Sequence, residues 1–256
     1  MTPRLEALRL QIDGPVARLT LARPHEGNRV DARTLRDLAT ACEIIAESQG
    51  LALALLTGEG ASFCEGWDEA TYEALARDRF GNPDPFGCIA RLPMPVLASA
   101  RGLVVGAGLE IALACDSRIA ADDARFALPD VVAGGLPLAG GSQRLPRVVG
   151  RSVATSMLLL GDDLDAQAAY RAGLVSRVFP AQSLAVETEA LVQRIVANGP
   201  LALRYAKELV HNGLEVPLDQ ALRYELDLSV ILQTTRDRAE GIEAFLEKRD
   251  PRFEAR

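Results

Sequence analysis

Histidine is nearly missing from this chain, with only His25 and His211 among 256 residues. Cysteine is also scarce: Cys42, Cys64, Cys88 and Cys115 are scattered with no CxxC spacing. These two shortages argue against a structural zinc site, and they move any general acid–base chemistry onto carboxylates. Aromatic residues make up 5% of the chain, and Trp67 is the single tryptophan. The longest apolar run, Leu51 to Leu56, is too short to span a bilayer. The opening Met1-Thr2-Pro3-Arg4-Leu5-Glu6 has no apolar stretch behind its basic residue, so no secretory signal is expected. Cysteines so placed suit a reduced, cytoplasmic protein in which they act mostly as small core residues. There is no low-complexity segment and no repeat at the level of letters.

What is present reads as globular. Hydrophobic residues make up 48% and charged residues 25%, which excludes disorder, collagen and coiled coil. The 28 basic against 35 acidic residues give a net charge of −7. That sets the chain against a nucleic-acid partner, while a local basic pocket for phosphates stays open. The length suits one large domain, or one domain with a small appendage.

The pattern along the chain is α/β, then all helix. Leu5–Gln11 and Val16–Ala22 read as strands about the turn Asp13-Gly14-Pro15. Leu35, Leu38, Ala39, Cys42, Ile45 and Ala46 recur at helical spacing over 31–48, with Asp31 as N-cap. Leu51–Thr57 reads as a buried strand, and an open glycine-containing loop follows to Asp68. Residues 70–90 hold a short helical stretch and a Pro/Gly-rich loop, Gly81 to Gly87. Further strands are expected at Val96–Ala100, Ser117–Ala121, Arg125–Leu128 and Leu174–Phe179. Arg101–Gly108 is expected to turn directly into an apolar helix ending near Cys115, and helices near 141–149, 151–160 and 165–172 follow. From about Ser183 the periodicity is helical throughout, with Gly213 expected to stop one helix.

Three segments carry candidate chemistry: Phe63-Cys64-Glu65-Gly66-Trp67-Asp68, Gly106-Ala107-Gly108-Leu109-Glu110, and Phe126-Ala127-Leu128-Pro129-Asp130. Gly106-Ala107-Gly108 follows a strand and opens a helix, which leaves backbone N–H groups at the positive end of the helix dipole. Such a site holds an anion, including an oxyanion that forms only during reaction. It is no dinucleotide fingerprint, because the GxGxxG spacing fails at Ile111. Glu110 lies in the first turn of that helix, and Asp130 opens a short element twenty residues later. Two carboxylates beside an oxyanion hole can move protons on a carbon α or β to a carbonyl. Taken singly, each piece has a plainer explanation: close packing for the glycines, a first-turn charge for Glu110, an N-cap for Asp130, packing for Trp67. Their joint order changes the weight.

That order resembles the crotonase superfamily, the enoyl-CoA hydratases and isomerases. The resemblance spans essentially the whole chain. It includes Ala114-Cys115-Asp116, the Gly-Gly-Ser-Gln-Arg-Leu-Pro run at 140–146, Ala172-Gly173-Leu174-Val175 and the C-terminal stretch from Glu240 to Arg249. It implies a spiral of ββα units over 1–195 and an all-helical oligomerisation region over 196–256. It also implies homotrimers, commonly paired into hexamers, and an acyl-CoA thioester substrate held as an enolate. Coenzyme A enters as part of that substrate; no further cofactor, metal, nucleic acid or membrane partner is expected.

The resemblance places the oxyanion donors at the N–H groups of Trp67 and Ala107 and the catalytic carboxylates at Glu110 and Asp130. It places substrate or CoA contacts at Gly66, Asp68, Gly106, Gly108, Leu138 and Lys248, the last across a subunit contact. The Pro24–Gly27 turn occupies the family's other CoA-contacting loop.

The reaction implied is syn addition of water to a 2-enoyl-CoA. Two departures bear on it. Asp130 stands where hydratases carry Glu, one methylene shorter. Leu138 stands where they usually carry Gly, and is expected to crowd the catalytic water. Both keep enoyl-CoA isomerisation open as an alternative, with decarboxylase or lyase chemistry behind it. A non-catalytic scaffold or an RNA-binding protein is the distant alternative. Trp67 and the 70–90 segment suggest a narrowed acyl pocket.

Overall fold

The computed structural model describes residues 5–77 and 84–256. The first four residues, and residues 81–83 of the expected Pro/Gly-rich loop, lie outside the described part.

The chain begins with a hairpin, β1 (Leu8–Asp13) and β2 (Val16–Leu21), turning at Gly14 with φ +53°. A helix, α1 (Ala32–Glu47), follows, and Asp31 caps it by accepting the Thr34 N–H. Next come β3 (Leu53–Gly58), α2 (Glu69–Arg77), the single turn α3 (Gly87–Ala90), β4 (Val96–Ala100), β5 (Leu103–Val105) and α4 (Ala107–Ala114). The chain continues through β6 (Ser117–Ala121), β7 (Arg125–Ala127), α5 (Gly141–Leu160), β8 (Leu164–Asp165), α6 (Ala166–Arg171) and β9 (Arg177–Phe179). Four helices close it: α7 (Leu184–Val196), α8 (Pro200–Gly213), α9 (Leu218–Gln233) and α10 (Arg236–Glu247).

Two sheets result. The larger runs β1-β2-β3-β4-β6-β9 and is parallel after the first hairpin; the smaller runs β5-β7-β8. A bridge from Cys64 to Val104 extends the smaller sheet by one more passage of chain. Each turn of the spiral thus lays one strand in the large sheet, one short strand in the small sheet, then a helix: β4-β5-α4, then β6-β7-α5. This is the expected ββα spiral, repeated in geometry and not in letters.

The core lies between the large sheet and α1, α4 and α5, around Phe63, Phe126, Leu38, Leu56 and Leu109. α4 is buried along its whole length, consistent with its nearly unbroken apolar sequence. Buried Arg118 closes its far end, donating to the Ala112 and Cys115 carbonyls at 3.2 and 2.8 Å. The other face of the sheet is covered by α7 through Leu184 and Val192 against Leu53, Leu55, Leu97 and Ile119.

Several boundaries differ from the sequence reading. β5 separates β4 from α4; three residues are too few for an alternation to register, and their pairing with β7 is tertiary. β1 starts at Leu8, three residues later than expected. β9 starts at Arg177, because Leu174 and Val175 are buried in the turn after α6. Gly213 lies inside α8 and lacks the left-handed backbone of a helix stop; the cap is Leu214. The expected break at 149–151 is real: Gly150 has φ +77° and ψ 163° inside α5. Cys42, Cys64 and Cys115 are buried, Cys88 is half-buried, and all four are free thiols.

Candidate active site

The smaller sheet delivers the chain to the site. β5 ends at Val105, and Gly106 takes φ +51°, ψ −119°, a backbone that only glycine adopts readily. α4 starts at the next residue, so its first N–H groups have no partner within the helix. Gly66, at φ +117°, stands directly opposite: a Cβ on Gly106 would come 3.6 Å from the Gly66 Cα. The residues after these two glycines, Trp67 and Ala107, therefore sit side by side. At Trp67 the parallel bridge to Val30 uses the Gly66 carbonyl and the Asp68 N–H. That leaves the N–H groups of Trp67 and Ala107 without a hydrogen-bond partner among the described residues.

Glu110, one turn into α4, is fully buried and yet well partnered. Its Oε1 accepts the Ala139 N–H at 2.7 Å and the Gly141 N–H at 2.9 Å. Its Oε2 accepts the indole Nε1–H of Trp67 at 3.2 Å. Burial dominates the energetics and pushes its carboxyl up to about 7; the two backbone donors oppose this, and the charge of nearby Asp130 adds to it.

Asp130 follows Pro129 in a 3-10 turn, Pro129–Val131, whose N-cap position is Leu128. Its side chain caps nothing, and its Oδ2 is buried with no hydrogen-bond partner among the described residues. Desolvation raises its pKa as well. A cleft of about 460 Å³ opens here, lined by Gly66, Trp67, Tyr72, Val105, Gly106 and Asp130, with Glu65 and Glu69 on its wall.

Two carboxylates beside two unpartnered N–H groups can add or remove a proton next to a carbonyl while holding its oxygen as an anion. A family model described as enoyl-CoA hydratase/isomerase matches residues 11–256. The chain belongs to this enoyl-CoA hydratase/isomerase family. It is 37% identical over 243 residues to 2,3-dehydroadipyl-CoA hydratase of Escherichia coli (strain K12), covering 93% of this chain and 94% of that protein. It is 35% identical over 254 residues to crotonyl-CoA hydratase of Syntrophomonas wolfei, covering 97% of this chain and 98% of that one. The crystal structure of an enoyl-CoA hydratase from Bacillus anthracis superposes with a TM-score of 0.91 at 32% identity, over 98% of this chain and 100% of that chain.

Within this family's fold, Gly66, Gly106, Trp67 and Asp130 meet at the cleft, Ala107 follows Gly106, and Glu110 is bonded to the Trp67 indole. Other expected contacts fall elsewhere. Gly108 is a packing glycine: a Cβ there would stand 2.5 Å from the Cys64 carbonyl oxygen. Asp68 caps α2, accepting the Thr71 N–H and hydroxyl at 3.0 and 3.1 Å. Leu138 is half-buried and is not among the residues lining the cleft. Lys248 is exposed at the C-cap of α10, with left-handed φ +57°, and does not line the cleft of its own chain.

Three positioning groups escape sequence reading. The Tyr72 hydroxyl donates to the Leu136 carbonyl and accepts the Leu136 N–H, both at 3.1 Å. It thereby clamps the loop that carries Ala139. Arg144 binds Asp84 through two donors at 3.1 and 2.7 Å and gives a third hydrogen bond to the Ala139 carbonyl. Gly141 makes room for Glu110: a Cβ there would come 3.0 Å from the Pro137 Cβ and 3.1 Å from the Glu110 Cγ and Oε1, so a neighbour would have to give. The run at 140–146 signalled that this segment mattered, but not what it touches.

Proposed function

We propose that this enzyme adds water across the double bond of a 2-enoyl-CoA, using Glu110 and Asp130 as its acid–base pair. The observation that carries the reading is the contrast between the two carboxylates beside one pair of free N–H groups. Glu110 accepts three N–H donors and receives no acceptor, so its surroundings favour the ionised, proton-accepting form over what burial alone would allow. Asp130 has a bare Oδ2 with no donor on it, which leaves that oxygen free to carry a proton to the substrate. Oε1 of Glu110 is saturated by two backbone donors, so its proton chemistry runs through Oε2.

In this reading Glu110 takes a proton from water as the hydroxyl adds at the β-carbon. Asp130 delivers a proton to the α-carbon, and the N–H groups of Trp67 and Ala107 hold the thioester oxygen as negative charge develops. Losing one such donor typically lowers the rate ~10²–10³-fold. The acid–base work needs no group beyond these residues and the CoA of the substrate.

The assembly is proposed to be a homotrimer or a pair of trimers, with 196–256 as the associating region on a 1–195 core. Leu218, Leu222, Leu226 and Val230 line one side of α9 and are exposed in the single chain, as is Phe245 on α10 at 82%. α8 is fastened to the core by Lys207 and His211, each 2.8 Å from Asp116. Lys248, in this arrangement, serves the CoA of a neighbouring subunit. A cytoplasmic location accords with the free thiols; among the described residues no helix is long and apolar enough to cross a membrane.

The test is product identity with crotonyl-CoA. Hydration removes the conjugated-enoyl absorbance and gives a thioester heavier by one water. Loss of absorbance with no gain in mass means isomerisation, and no change at all rejects a short-chain hydratase.

A further inference from the structure

Trp67 is the only tryptophan in the chain, and its side chain is placed unlike a packing residue. One side of the ring stacks on Phe86, with centroids 5.5 Å apart and planes 15° from parallel. The ring nitrogen, in the plane of the ring, donates to Glu110 Oε2 at 3.2 Å. Trp67 lines the cleft, whereas Glu110 does not. The indole therefore ties the cleft wall to the carboxylate through one hydrogen bond.

We infer that the Trp67 side chain is a positioning residue for Glu110: its indole N–H holds Oε2 as a hydrogen-bond acceptor at the edge of the cleft. Trp67 then has two separate duties, its main-chain N–H toward the thioester oxygen and its ring N–H toward the catalytic carboxylate. The indole N–H is a donor only, so it accepts nothing from a protonated carboxyl and bonds most strongly to the ionised form. A phenyl ring at this position keeps the stacking and loses the hydrogen bond.

The other groups around Glu110 do not duplicate this contact. Asp130, from the 3-10 turn, is the charged group acting on it, and acts against ionisation. Arg144 of α5 is engaged with Asp84 and the Ala139 carbonyl. Glu65 and Glu69 line the cleft wall. Phe86, preceding α3, is apolar. The Trp67 N–H is the one side-chain hydrogen bond on Glu110 among the described residues.

A single indole bonded to a titrating carboxylate reports on it by fluorescence, and this gives a test that does not depend on turnover. The intact wild-type protein, excited at the red edge of the indole band, is expected to show a fluorescence transition near pH about 7. That transition is expected to vanish in Glu110→Gln and to persist in Asp130→Asn. In a second arm, Trp67→Phe is expected to move the acid limb of kcat/KM for crotonyl-CoA upward by about one pH unit, because the free enzyme has lost a donor to the charged form. An absent transition, one that survives Glu110→Gln, or an unmoved acid limb in Trp67→Phe overturns the inference. The kinetic arm rests on the hydratase reading. If wild-type protein shows the Glu110-dependent transition but does not hydrate crotonyl-CoA, the hydratase reading falls and the indole–carboxylate link stands.

Discussion

The two walls of the cleft are built in opposite ways. On one wall, the first turn of α4 is wholly buried, and Glu110 is held by two backbone N–H groups and an indole. On the other, Asp130 sits in a single 3-10 turn with a bare Oδ2, followed by exposed Val132 and Leu136 on the loop to Ala139. Both carboxylates feel desolvation; Glu110 offsets it with two backbone donors and an indole, Asp130 only with its own backbone N–H. The lesson is that position and proton affinity are set separately. α4 and the 139–141 backbone fix where Glu110 is, and burial sets how readily it ionises. Asp130 is left free to meet whatever enters the cleft.

That contrast can be broken at either wall. The largest effect is expected at Glu110. Glu110→Gln removes the proposed base and turns an amide NH2 toward donors, so kcat for crotonyl-CoA hydration should fall on the order of 10³–10⁴-fold. The same variant should lose ~1–3 kcal/mol of stability in urea unfolding, the penalty of a buried group facing donors. Asp130→Asn should lower kcat ~10²–10³-fold and leave the unfolding midpoint nearly unchanged, because nothing bonds to its Oδ2. Equal destabilisation by the two variants would erase the contrast.

A pH prediction follows from Glu110's burial. Its carboxyl rises from 4.5 to about 7 on folding, so its contribution to stability is fully present below pH 4.5 and is lost as pH rises through about 7. That amounts to roughly 3 kcal/mol at most. Wild-type urea midpoints should decline across this window, and those of Glu110→Gln should decline less. Gly141→Ala tests the positioning itself. Its Cβ must push Glu110 by a few tenths of an ångström, so kcat should drop about tenfold with the fold intact by circular dichroism. The smallest effect is expected at Tyr72→Phe. Releasing the Leu136 clamp should cost about 1 kcal/mol and a few-fold in kcat.

Much of this was legible in the sequence. Gly-x-Gly before an apolar helix placed the Gly106 turn and Glu110's first-turn position from local rules alone, and Asp31 was readable as a cap. Asp130 after Pro129 was readable as a short element, though not as a buried carboxylate with a bare Oδ2. The rest required tertiary contacts. β5 is defined by partners rather than by its own three residues. Gly108 and Gly141 look alike in the sequence, and only the neighbours show that one packs on Cys64 and the other makes room for Glu110. Asp68 and Leu138 carry motif positions whose contacts here are a helix cap and a loop. The indole of Trp67 acts on a residue 43 positions away, Tyr72 on one 64 away, and Arg144 is tied to Asp84 60 positions away, beyond any spacing rule.

The central claim is that these two differently built walls act on one water. It is tested most directly by crotonyl-CoA hydration rates for wild type, Glu110→Gln, Asp130→Asn and the double variant. If the pair works as a unit, each single substitution removes most of the rate, and the double variant is no slower than the slower single. Losses that multiply in the double variant, or a single variant with wild-type rates, would contradict the account.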